Sequence, residues 1–223
     1  MFSGNPNWPR SQAEAEQVQR ELAPLVRIPE VAIPAPATIT GLDVSYSTGS
    51  DRIVAAAVVV EASSGRIIEE SIADGVATFP YVPGLLAFRE VPVLLEALEH
   101  LRSAPDLLVC DGQGLAHPGR CGVACHLGVV TSLPTIGCAK TRFIGEHDDP
   151  GSQRGDRTPL IDAGELVGYV LRTQDRIKPV YVSPGHGIGF DQSCAIVLDL
   201  CSKFRLPDPI RHADHFSRQA LHD

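Results

Sequence analysis

Three acidic residues in this chain have the types and settings that metal-assisted hydrolysis needs. Asp43 interrupts a strand-like run, Gly41-Leu42-Asp43-Val44-Ser45-Tyr46, in which Leu42 and Val44 would face the opposite side of a sheet. Asp111 ends the apolar run Leu107-Leu108-Val109-Cys110 and is followed by Gly112-Gln113-Gly114. Glu90 stands early in a leucine-rich helical stretch, between Phe88 and Val91. Taken singly, each has an ordinary reading: an exposed strand position, a strand-ending turn, a solvated helix face. Brought together, the three carboxylates would offer oxygen ligands to Mg²⁺. Two such ions can activate a water and stabilise a leaving oxygen, the chemistry of phosphodiester hydrolysis. The ends of strands are where open sheets hold ligands, and glycines beside Asp111 let backbone approach one closely.

The elements that must position these acids follow from the hydrophobic spacing. Residues 10–23 read as a helix ended near Pro24, and a proline-spaced connection runs from Pro29 to Pro36. Residues 38–46 alternate as a strand, the valine- and alanine-rich 52–61 reads as a second and 66–73 as a third, joined by short turns into an antiparallel meander. Residues 83–101 have helical spacing, with Pro92 expected to kink the helix. A short buried strand at 106–111, a helix over 120–131 and a strand at 134–138 come next. Segments 144–165 read as a long loop, 166–172 and 179–183 as strands, 190–204 as a helix, and a short last helix begins near Pro209. Meander first and crossover helices later is the order of a ribonuclease H-like α/β fold with a mixed sheet flanked by helices. In such a sheet the first strand, the first long helix and the fourth strand converge on one edge. No repeat or linker divides the chain, so residues 1–223 are expected to form a single domain.

Composition sets bounds. Hydrophobic residues make up 43% of the 223 residues and charged residues 21%, ordinary for a globular protein. The net charge of −8 argues against a protein that coats nucleic acid, but not against an enzyme that meets phosphates through cations and a local basic patch. No apolar run reaches membrane-spanning length, and Met1-Phe2-Ser3-Gly4-Asn5-Pro6 lacks the pattern of a signal peptide, so a cytoplasmic protein is expected. The six cysteines then read as small core residues. Cys121, Cys125 and His126 raise a structural zinc site as a rival, a weak one without a second cysteine pair.

The segments 41–46, 81–90 and 111–118, with 137–141 and 178–186, resemble the hallmark motifs of the endonuclease V family, in order and spacing, from about residue 10 to residue 219. The resemblance implies a ribonuclease H-like fold, dependence on Mg²⁺ (Mn²⁺ substituting), and cleavage of the second phosphodiester 3′ to inosine, leaving 3′-hydroxyl and 5′-phosphate ends. It implies that Asp43 and Asp111 ligate metal directly, with Glu90 in support. A fourth metal position, histidine in many bacterial members and aspartate in animal ones, is Asp214 here. Tyr81, within Pro80-Tyr81-Val82-Pro83, matches the wedge that stacks where a base is displaced. Gly84, Leu85, Gly112 and Gly114 match the pocket for the flipped hypoxanthine, whose O6 acceptor and N1–H donor reverse the pattern of adenine. Lys140 matches a lysine near the scissile phosphate, and His117 a histidine more suited to positioning than to acid catalysis.

The implied partner is inosine-containing nucleic acid, DNA or RNA, bound by a monomer away from membranes. Two other readings compete besides zinc. A related nuclease such as a junction resolvase would share the acids but not the Tyr81 segment. A non-catalytic inosine-binding protein would be expected to lack one of the three carboxylates.

Overall fold

The computed structural model describes residues 8–222, so the segment Met1–Pro6 lies outside the described residues. An eight-stranded sheet runs through the molecule in the order β3-β2-β1-β4-β5-β8-β7-β6. Strands β1 (Thr38–Tyr46), β2 (Arg52–Glu61) and β3 (Ile67–Val76) form the antiparallel meander. Strands β4 (Leu107–Cys110) and β5 (Thr135–Ala139) add to β1 in parallel. The far half, β6 (Arg157–Asp162), β7 (Glu165–Leu171) and β8 (Val180–His186), is antiparallel throughout. This is the mixed, ribonuclease H-like α/β architecture.

Helices cover both faces. Helix α2 (Ala87–Glu99) and helix α3 (Val123–Thr131) pack Val91, Leu94, Leu95 and Leu127 against Leu42, Ala55, Ala57 and Leu108. On the other face, α4 (Phe190–Leu200) and α5 (Asp208–His222) pack Val197, Ile210 and Ala213 against Ile39, Val58, Val109 and Val182. Burial on both sides explains why β2, β4 and β5 are almost continuously apolar. Among the described residues, no helix is long and apolar enough to cross a membrane.

Helix α1 (Gln12–Leu22) is capped by Ser11, whose side chain accepts from the Glu14 N–H, while the Glu14 carboxylate accepts from the Arg10 N–H just ahead of the cap. Residues 83–86, expected to be helical, instead form a turn closed by Leu85 N–H to the Val82 carbonyl. Helix α2 continues through Pro92 as one element. The proline removes the amide that would bond the Phe88 carbonyl, and the Trp8 indole N–H takes that place at 2.7 Å.

Two expectations need correction. The stretch 144–165, expected to be a loop, contains β6. That strand escapes notice because only Leu160 is fully buried and because it carries Pro159, which an edge strand tolerates. It turns into β7 through Ala163-Gly164, both at positive φ (51° and 83°), without the Asn-Gly signal such turns often carry. The last helix, expected to be short, runs for 15 residues.

Candidate active site

The carboxylates reach one sheet edge from different sides. Along β1, Gly41 and Asp43 share the face that α5 covers, while Leu42 belongs to the α2 side. At Gly41 a side chain is impossible without displacing α5: an added Cβ would lie 2.2 Å from the Pro209 carbonyl carbon. That close approach brings Asp214, one turn along α5, to the cavity holding Asp43. Ser217 is fully buried and hydrogen-bonded to Ser45 (2.8 Å), and its hydroxyl lies 3.5 Å from Asp43 Oδ2. This chain of hydroxyls sets the register of α5 on β1.

Asp111 follows β4, its N–H bonded to the Leu42 carbonyl, so it stands beside Asp43 at the end of the parallel pair. Glu90 arrives from α2 and is buried, with the Tyr46 hydroxyl donating to its Oε1 at 2.7 Å. The Arg89 guanidinium lies 5.1 Å from the centre of the Tyr46 ring. Lys140, just beyond β5, forms an ion pair with Asp111 Oδ2, and Arg218 pairs with Asp214 at 2.7 Å. Asp43, Glu90, Asp111, Lys140 and Asp214 thus line one cavity of about 550 Å³.

Crowding of like charges marks this cavity electrostatically. Burial, then the charges of Asp111 and Asp214, push the Asp43 carboxyl up to about 8. Burial also raises Glu90, to about 7, against the opposing hydrogen bond from Tyr46. Desolvation pulls Lys140 down, but its bond to Asp111 and the charges of Asp43 and Asp214 leave its ammonium raised. Two buried carboxyls raised in this way, Asp43 and Glu90, within an all-oxygen set suit a hard divalent cation such as Mg²⁺. The carboxylates ring the cavity: among the described residues, no three His, Cys, Asp or Glu side chains converge as a ready ligand group.

A second cavity, of about 370 Å³, opens beside the first and shares Asp111, Val123 and Lys140 with it. Tyr81, Val82, Pro83 and Gly84 form one wall, and Gly112, Gln113, His117 and Phe143 contribute others. Tyr81 is 70% exposed at the rim. Its volume falls within the roughly 300–1,000 Å³ of small-molecule sites. Burial lowers His117 to about 4, so the ring is neutral near pH 7. Its Nδ1 accepts from the Gly119 N–H at 3.1 Å. The geometry suits a fixed wall rather than a proton donor.

Not every expected residue faces the cavities. Leu85 turns into a core cluster with Ala15, Phe79 and Phe88. Gly114 is buried against Pro184, its N–H bonded to Ser183 Oγ at 2.8 Å, and Pro80 lies outside the cavity wall. Cys121, Cys125 and His126 are buried, and the His126 ring packs between Trp8 and Phe88. Sequence reasoning missed Tyr46, Ser217 and Gln19. From α1, Gln19 donates through Nε2 to the carbonyls of Gly84 (2.8 Å) and Cys121 (3.1 Å), tying two walls of the second cavity together. Residues three apart on a strand face opposite sides, so Asp43-x-x-Tyr46 carried no hint of Tyr46, and nothing local marked Ser217 or Gln19.

The family model for endonuclease V matches residues 20–215. The chain belongs to the endonuclease V family. Endonuclease V of Streptomyces coelicolor is 50% identical over 218 residues, covering 97% of this chain and 93% of that protein. The crystal structure of endonuclease V from Streptomyces avermitilis superposes with a TM-score of 0.93 at 47% identity, covering 98% of this chain and 96% of that one. The Ciona intestinalis endonuclease V, in complex with a 24-mer DNA containing an inosine followed by a ribo-adenosine, gives a TM-score of 0.84 at 26% identity, covering 94% and 97%. Endonuclease V proteins are metal-dependent nucleases that act on phosphodiester bonds, so a cavity of clustered carboxylates is the feature such chemistry requires.

Proposed function

We propose that this protein is a Mg²⁺-dependent endonuclease, with Mn²⁺ able to substitute, that binds a flipped hypoxanthine and hydrolyses the second phosphodiester bond 3′ to it. The products would carry 3′-hydroxyl and 5′-phosphate ends. The observation that carries this reading is the shared wall: Asp111 and Lys140 line both the cavity beside Tyr81 and the carboxylate cavity. A base seated in the first therefore puts its own strand across the second. The inosine-containing DNA bound by the Ciona relative supports the same substrate class.

Tyr81 would stack in the gap that the displaced base leaves, which suits its exposure at the rim. Backbone groups of Gly84 and Gly112 would read the edge of hypoxanthine, with Val82, Pro83 and the neutral His117 shaping the wall. Pro80, Leu85 and Gly114 would act from behind, by fixing the loops that carry those groups. Asp43, Asp111 and Asp214 would hold metal, and Glu90, oriented by Tyr46, would support it. The bound cation would supply charge to lower the acidity barrier of water and to stabilise the leaving oxygen. Lys140 would meet the phosphate as a compact point charge, exchanging its contact with Asp111 for one with substrate.

A second reading, inosine in RNA as the natural substrate, is favoured by Asp214, the animal-type residue at the fourth position, and by the ribo-adenosine beside inosine in the Ciona complex. The residue roles are tested by Asp111→Asn, which should abolish cutting of an inosine strand while leaving its binding largely intact. Normal cutting by that variant would remove the metal assignment.

A further inference from the structure

A third concavity, of about 450 Å³, continues out of the carboxylate cavity on the side of α5. Lys140, Asp214 and Arg218 line both, and Lys140 also lines the cavity beside Tyr81. Three hollows thus meet at one lysine, with the carboxylate cavity sharing further wall residues with each of the other two. The third is walled by Arg211, His215 and Arg218 of α5, at helical spacing that puts them on one face. Permanent cations there are Lys140, Arg211 and Arg218; Lys140 pairs with Asp111, Arg218 with Asp214 at 2.7 Å, and Arg211 with Asp208 only at a longer 3.4 Å, so Arg211 is the least committed of the three. In a chain of net charge −8, three cations lining one hollow beside the carboxylates mark a place where a phosphate can take over their contacts.

Arg211 is held for the purpose of pointing a fixed charge. Its guanidinium carbon lies 3.5 Å from the centre of the Phe204 ring, and Nη1 is 3.4 Å from Asp208 Oδ1. A stacked guanidinium loses little freedom when it binds a phosphate. The other way out of the carboxylate cavity passes Ser47, Thr48, Leu221 and His222, none of them a permanent cation, and Arg218 lines both ways out, so Arg211 is the cation that distinguishes the α5 groove. The Arg211 route is the one that charge favours.

We infer that this α5 groove binds the phosphates of the nucleic-acid strand immediately 3′ of the cut, so that the strand runs from the base cavity, across the carboxylates, and out along Arg211 and Arg218. The polarity rests on the proposed function: if the base is held 5′ of the scissile bond, the groove beyond that bond takes the downstream product.

The test uses single-stranded inosine oligonucleotides in which one phosphate at a time is replaced by an uncharged methylphosphonate, cut by the full chain in Mg²⁺. For the wild type, neutralising the first or second phosphate 3′ of the cut should lower kcat/KM roughly tenfold, the scale of one charge-assisted contact. Arg211→Ala should lose about as much on the natural strand and show no further penalty from the neutral linkage, whereas Arg211→Lys should restore part of both. The slope of log kcat/KM against log salt should flatten by about 0.7 in Arg211→Ala, one phosphate's worth for a single strand. Circular dichroism melting of each variant reports folding, and a merely structural role would leave the methylphosphonate penalty in place. Inosine-selective cutting with the same downstream penalty in wild type and Arg211→Ala, or a penalty confined to phosphates 5′ of the inosine, would overturn the groove alone. Equal cutting of inosine and adenosine strands would overturn the reading on which the polarity rests, and the proposal with it.

Discussion

Asp43→Asn should stabilise the metal-free protein, and by more the higher the pH. Burial and the neighbouring charges of Asp111 and Asp214 push the Asp43 carboxyl from an ordinary 3.8 to about 8. A carboxyl raised on folding ionises more readily in the unfolded chain. It costs the native state nothing below about pH 4 and progressively more as pH climbs towards 8. At about 1.4 kcal/mol per pKa unit, the full penalty is on the order of 5 kcal/mol, a ceiling because water and side-chain adjustment relieve part of it. Asparagine keeps the shape and removes the titration. For a chain of this size about 2–4 °C accompanies each kcal/mol, so in EDTA the variant should gain little at pH 4 and up to roughly 10–20 °C at pH 8. Adding Mg²⁺ should raise the wild-type melting temperature at pH 8 and narrow the gap, since a cation that binds only the native state stabilises it by mass action. Thermal melts at pH 4, 6 and 8, with and without Mg²⁺, decide the matter. A difference that stays flat across that range, or a variant less stable than wild type at pH 8, would refute the electrostatic account of the cavity.

Other consequences are as direct. Tyr46→Phe removes the 2.7 Å bond to Glu90 and should raise the Mg²⁺ concentration for half-maximal cutting about tenfold, the scale of one hydrogen bond to a charged group, as read by Mg²⁺ titration of the cleavage rate. Gln19→Ala unties Gly84 from Cys121 and should reduce the preference for inosine over adenosine strands roughly tenfold, seen as a ratio of kcat/KM values. His117 is held at about 4 by burial and is already neutral, so His117→Gln should lower kcat/KM without changing the shape of the pH–rate profile between pH 5 and 8. The loss of a titrating limb in that variant would instead make His117 an acid or base.

What the sequence disclosed, and what it hid, follows from the range of the interactions involved. Strand β1 was legible from its alternation, and β2, β4 and β5 because burial on both faces writes itself as nearly continuous apolar runs. Asp43, Glu90 and Asp111 were legible because a charge inside such a run, or beside one, needs a reason. Strand β6 was not, since an edge strand with one buried residue and an internal proline carries the composition of a loop. Asp214 had no local mark: its place in the cavity depends on Gly41 admitting α5 onto β1, a contact between residues far apart in the chain. Ser217 and Gln19 were hidden for the same reason, being partners of groups 174 and 65 positions away. Leu85 and Gly114 show the converse, motif residues whose side of the backbone faces the core while their neighbours face the cavity.

The central claim is that one cavity selects hypoxanthine and the adjoining carboxylates cut its strand at a fixed distance. The most direct measurement is to incubate matched DNA and RNA strands, each carrying a single inosine or adenosine at the same position, with the protein in Mg²⁺ and to map the cut at nucleotide resolution. The account predicts cutting of at least one inosine strand at the second phosphodiester 3′ to the inosine, with a 3′-hydroxyl and a 5′-phosphate, and little cutting of its adenosine match. Cutting at scattered positions, equal cutting of adenosine strands, or cutting of neither inosine strand would contradict it.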